Sequence, residues 1–263
     1  MTREADGQEV EAILKIVTDS LMHLITKPGI ILISVFLLLI VWGPKGEPIF
    51  MPWFREWIEA TPLHRQFRVQ LLSYASGVLL LVVTPVLIIR FRFKESLSKY
   101  GLGLGDVRLG LLFMAVLIVV SLPLFFFGAR SPQMQAEYPL IYRGLDVAQI
   151  RQQFQWQSFL LYELIYASFF LVIEFTFRGY MLFGLREKFG LYSILIQMLS
   201  YTAWHLAKPV PELIGTPVWG FAVAAVTLRV RSIWYVFVAH WLLNVFLDVM
   251  ILINIGVFTG SNR

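Results

Sequence analysis

Three pairs of polar residues, each pair four positions apart, interrupt apolar stretches in the last third of the chain. They are Glu174 with Arg178, Tyr201 with His205, and His240 with Asn244. Glutamate and histidine are residue types that take a proton from water in hydrolysis, and histidine does so near neutral pH. Asparagine orients a histidine or polarises a carbonyl. Ionisable side chains at membrane depth are costly, so where they occur they mark a site or a pathway. The combination predicts a hydrolytic site inside a bilayer. Glu174 and Arg178 share one helix face, and pairing lowers the penalty of burying either charge. A salt bridge that only fixes two helices is the competing reading of that pair, as a satisfied core residue is of a lone histidine. Asp248 continues the row of His240 and Asn244 by one more turn.

Such residues need a membrane domain to hold them, and the composition supplies one. The 263 residues are 58% hydrophobic, and their mean hydropathy is +0.71. A soluble domain of this length carries less apolar sequence, so the excess reads as lipid-facing surface. The absence of cysteine excludes disulfides, thiolate metal sites, iron–sulfur clusters and a cysteine nucleophile. The net charge of +5 does not indicate nucleic acid. Its basic residues fall between apolar segments and its aromatics within them, unlike a solvated nucleic-acid surface.

A spanning helix needs about 20 mostly apolar residues. Seven candidates are read at roughly 29–43, 71–90, 109–128, 158–178, 190–206, 213–228 and 232–257, the fifth and sixth being short. The fold class is therefore all-α, a polytopic transmembrane helix bundle of about seven spans. Val10, Ile13, Leu14, Val17, Leu21 and Leu24 recur at helical spacing, which predicts an amphipathic surface helix over 1–28 ahead of the membrane domain 29–263. An ordinary packed helix is the alternative. The polar, acidic start lacks the basic region of a cleavable signal peptide, so the N-terminus is expected to be retained. Seven spans put 13 of the 22 basic residues on the side of the N-terminus, with the firmest cluster from Arg90 to Arg108. That bias predicts a cytoplasmic N-terminus. Pro52, Trp53, Phe54, Trp57 and Ile58, in the first outward loop, suit the lipid–water interface.

Phe-Arg-Gly at 177–179 after a glutamate, Tyr-Thr-Ala-Trp-His at 201–205 and His-Trp-Leu-Leu-Asn at 240–244 together resemble the three signature segments of the CAAX protease and bacteriocin-processing (CPBP, or Abi) family. The family includes the type II CAAX prenyl endopeptidases, and the resemblance covers residues 158–250. It implies an intramembrane endopeptidase, in a prokaryotic plasma membrane, that acts on a membrane-associated protein or peptide. By position it also implies a site of Glu174, His205, His240 and Asn244, supported by Arg178 and Tyr201. The family pattern begins Glu-Glu-x-x-x-Arg, and its first glutamate, the water-activating residue, falls on Ile173 in this chain. Isoleucine accepts no proton. Adjacent helix positions point about 100° apart, so Glu174 needs a helix rotation or a π-bulge to take that place. Two functions therefore stand side by side: the endopeptidase, and a catalytically silent relative that binds a membrane peptide as a chaperone, adaptor or immunity factor.

Other chemistries find less in the sequence. There is no Gly-x-Ser-x-Gly elbow and no His-Glu-x-x-His helix. Glu174, His205 and His240 meet the three-ligand count of a catalytic zinc site, whereas the resemblance implies a site without metal or other cofactor. The glycines between Gly101 and Gly105 lack the Lys-Ser/Thr of a phosphate loop and read as a turn. A transporter would show broken inverted repeats, which are not visible. His205 falls near the end of its short segment. A fourth helix running past Arg178 would bring Glu174 nearer mid-depth, where the groups could meet.

Overall fold

The computed structural model describes residues 2–43, 45–59 and 62–258, and these residues form helices without any strand. Eight helices carry the architecture. They are α1 (Thr2–Leu24), α2 (Lys27–Trp42), α3 (Arg65–Phe93), α4 (Val107–Gly128), α5 (Trp156–Phe189), α6 (Tyr192–Trp204), α7 (Val210–Val230) and α8 (Trp234–Asn254). From α2 onward they alternate between two ends of one bundle. At one end the Gly101–Gly105 turn joins the α7–α8 corner, through Asp106 N–H to Val230 O at 2.9 Å and Ile233 N–H to Gly101 O at 2.9 Å. At the other end the indole of Trp204 donates to Gly43 O at 3.2 Å, and Arg143 pairs with Glu47 at 2.7 Å. The glycine stretch is thus a structural turn, as its sequence predicts. Gly101 and Gly105 both have positive φ, and a side chain at Gly105 would overlap the carbonyl of Val230.

Among the described residues, five helices are long and apolar enough to cross a membrane: α3, α4, α5, α7 and α8. A sixth crossing arises if α1 and α2, bent by 76° at their junction, count as one broken span. The reading of about seven spans exceeds by one or two the crossings that helix length and composition support. The segment read at 190–206 does run from end to end of the bundle, but as the 13-residue α6. At a rise of about 1.5 Å per residue, α6 covers roughly 20 Å, short of the hydrocarbon thickness.

Lipid-type surface is plain on α4, where Leu112, Val119, Val120 and Leu124 are exposed. Where α4 passes α8, Gly110 lets the ring of Tyr235 lie against its backbone. In α1 the side chains of Ile13, Leu14, Val17, Leu21 and Leu24 are exposed, while that of Val10 lies outside the described residues.

The centre of the bundle is α5. It runs 34 residues, past Arg178, with a π-helical stretch from Phe175 to Met181. Extra length on this helix was the condition for Glu174 to lie near mid-depth, and Glu174 falls about halfway along it. Stacked aromatics line its inner face: Tyr166 packs on Tyr74 at 5.3 Å and on Tyr162 at 5.3 Å between ring centroids.

Candidate active site

His205 sits where α6 ends. The helix tightens into a single turn of 3-10 geometry, His205–Ala207, and Pro209 then starts the chain back into α7. Trp204 anchors this corner, lying parallel to Trp42 at 5.5 Å between ring centroids. The Nδ1 of His205 is 2.8 Å from the backbone oxygen of Tyr201. A carbonyl oxygen only accepts, so Nδ1 carries the proton and Nε2 is left with a lone pair in the neutral ring.

His240 and Asn244 project from α8, one turn apart. The Nδ1 of His240 is 2.8 Å from Glu174 Oε1, while its ring packs between Phe170 at 4.8 Å and Trp219 at 5.4 Å. The other Glu174 oxygen lies 3.4 Å from Arg178 Nε, and neither side chain is exposed. The Arg178 guanidinium lies over the Tyr201 ring at 4.0 Å. Tyr201 in turn meets His205 edge to face at 4.3 Å. Gly220 of α7 leaves room for this arrangement, since a Cβ there would fall 3.3 Å from the Tyr201 ring. One continuous chain of contacts therefore links His240, Glu174, Arg178, Tyr201 and His205.

A cavity of about 320 Å³ reaches this chain from the side of Leu124, Phe125 and Met134. Tyr201, His205, His240 and Asn244 all line it, and its remaining walls are mostly apolar. Behind it lies a chamber of about 20 Å³, which Ile173 lines together with His205, His240 and Asn244. A polar space of that size holds one water molecule.

The structure thus brings all six sequence-derived groups to one place and divides them by position. Tyr201, His205, His240 and Asn244 face the cavity, whereas Glu174 and Arg178 lie behind them. The π-helical stretch does not turn the Glu174 carboxylate toward the cavity. Ile173 reaches the small chamber, and Glu174 lines neither space. For the same reason Glu174, His205 and His240 do not form a metal-binding cluster, and no three histidine or acidic residues do so among the described residues. Asp248 belongs elsewhere. It is fully buried on α8, and its carboxyl meets that of Glu163 on α5.

Residues that spacing did not reveal complete the wall. Glu212, in the first turn of α7, lines both spaces, with Oε1 3.6 Å from His205 Nε2. Tyr138 donates its hydroxyl to Glu212 Oε2 at 2.8 Å, and Lys208 donates to the same hydroxyl at 3.2 Å. Burial, with the Glu212 carboxylate beside it, holds the Tyr138 hydroxyl well above the ordinary phenol range, so it stays a donor. All three lie in polar segments between the predicted spans. The one signal for Glu212 was a lone carboxylate beside Pro209 and Pro211, close after His205.

Residues 154–246 match the family described as type II CAAX prenyl endopeptidase Rce1-like. The matched segment runs from just before α5 into α8. It holds His205, Glu212, His240, Asn244 and the Glu174–Arg178 pair, and it leaves α1 to α4 outside. No curated protein and no solved structure matches the chain.

Proposed function

We propose that this chain is a membrane-embedded endopeptidase that hydrolyses a peptide bond in a membrane-associated protein or peptide. The observation that carries the proposal is the pair of histidines on one cavity. Each is held through Nδ1 by a buried oxygen, Tyr201 O for His205 and Glu174 Oε1 for His240. Each therefore has Nε2 left for chemistry in the cavity. His205 accepts a hydrogen bond from the attacking water through Nε2 and so helps to activate and orient it. His240, once protonated, and Asn244 donate to the oxyanion. Asn244 uses one N–H on His240 O at 3.0 Å and keeps the other. Glu174 and Arg178 act one layer back, holding the orientation of His240 and balancing charge. The apolar walls of the cavity suit a peptide segment that enters from the membrane.

A second reading is a silent relative that binds a membrane peptide. Ile173 on the wall of the small chamber favours it, because that is where the family pattern places a carboxylate. Purified protein in liposomes, mixed with peptides from neighbouring membrane proteins, separates the two. Endopeptidase function requires new peptide termini by mass spectrometry, and saturable binding without cleavage supports the silent reading.

The basic cluster from Arg90 to Arg108 lies at one end of the bundle and the Arg143 loop at the other, and we assign the first end to the cytoplasm. In intact cells, a cysteine introduced at exposed Ser98 is expected to resist an impermeant thiol reagent, while one at exposed Ala148 reacts. Since the chain has no cysteine of its own, labelling at Ser98 alone would reverse the assignment.

A further inference from the structure

The geometry points to Glu212 as the carboxylate that activates water in this chain, in place of the one lost at Ile173. The inference rests on reading the cavity as a peptidase site. It begins from a mismatch between two acceptors. His205 has its proton on Nδ1, committed to Tyr201 O, so Nε2 of the neutral ring accepts. Facing it at 3.6 Å is Glu212 Oε1, also an acceptor and too far for a direct hydrogen bond. One water bridging them donates a hydrogen bond to each and satisfies both.

Space and orientation agree with that placement. His205 and Glu212 both line the 20 Å³ chamber, large enough for one water, and Ile173 is part of the same wall. Replacing the Ile173 side chain by a carboxylate would therefore address the same chamber from α5. The Glu212 carboxylate is held in place from behind, because its other oxygen accepts from Tyr138, which Lys208 fixes in turn. Its own side chain is 23% exposed, toward the cavity that admits substrate.

In the step that follows, the water oxygen bonds to the carbonyl carbon while one O–H bond breaks. That proton passes to Glu212, and the carbonyl oxygen becomes an oxyanion beside His240 and Asn244. The C–N bond then breaks, and the proton moves from Glu212, directly or through His205, to the leaving nitrogen. The products are an amine and a carboxylic acid that ionises.

The test uses the full chain in phosphatidylcholine liposomes with a quenched-fluorescent library of lipid-anchored apolar octapeptides. Glu212→Gln keeps an oxygen for the Tyr138 hydroxyl but accepts no proton. It is expected to lower kcat by about 10²–10⁴-fold, as loss of a positioned base does, with KM little changed. Glu212→Asp is expected to retain part of the rate. Ile173→Glu added to Glu212→Gln is expected to restore cleavage, since it returns a carboxylate to the same chamber. Unchanged melting in detergent separates these effects from misfolding. Cleavage within threefold of the unaltered protein in Glu212→Gln, with loss in His205→Gln, overturns the role of Glu212 and leaves the peptidase reading standing. Cleavage that appears only when Ile173→Glu is introduced also overturns it, because the native carboxylate then does no work. Absence of cleavage in every variant overturns both.

Discussion

His205→Gln is expected to reduce cleavage by about 10²–10⁴-fold, the contribution of a positioned proton-transfer group, and to act on kcat rather than KM. Glutamine is similar in length and can still donate to the Tyr201 carbonyl that now receives Nδ1–H. It has no titrating nitrogen to present to the chamber. The wall contacts of His205 with Tyr201 and Trp204 are edge-to-face ring packing, so some loss of thermal stability accompanies the change. That loss is separable, because it appears equally in melting without substrate. Cleavage within tenfold of the unaltered protein would remove His205 from the mechanism.

Arg178→Met is expected to be the most destabilising single change in the site. Arg178 and Glu174 are both fully buried. Removing one partner of such a pair leaves a charge with no compensation, which costs about 3–5 kcal/mol. His240 loses its fixed orientation at the same time, because Glu174 Oε1 is the acceptor of its Nδ1–H. Neutralising both partners, with Arg178→Met and Glu174→Gln together, is expected to recover most of the stability, since a buried pair replaced as a unit is close to neutral. Activity is not expected to return with it: a glutamine amide oxygen holds the His240 ring but cannot balance an imidazolium. Chemical denaturation in detergent and the cleavage rate of the same samples check both halves. A loss below about 1 kcal/mol in Arg178→Met, the scale of an exposed pair, would show that Glu174 is satisfied by other groups.

The division between Glu174 and Glu212 shows which features reside in local spacing. A helix repeats about every 3.6 residues, so four-residue spacing alone placed Arg178 on the face of Glu174 and Asn244 on that of His240. Runs of apolar residues located all the crossing helices, because a bilayer demands that every backbone group be satisfied within its own segment. The family resemblance brought the three polar pairs to one site, where Tyr201, His205, His240 and Asn244 line the cavity and Glu174 and Arg178 lie behind them.

Tertiary packing decided the rest. Whether α6 is a full span depended on where its corner formed, and Trp204 stacked on Trp42, 162 positions earlier in the chain, sets that corner. Whether Glu174 or Ile173 faces the small chamber depended on the rotation of α5 against α6 and α8. A rotation of about 100° exchanges two adjacent residues and leaves every spacing in the sequence unchanged. Asp248, although in line with His240 and Asn244, turned to Glu163 instead. Glu212 entered the site because the turn after His205 folds α7 back beside α6. By itself the sequence determined a membrane helix bundle and the residue types its site employs. Only the packing of helices distant in sequence decided which carboxylate stands beside His205, because that neighbour comes from a different helix and carries no periodic signal.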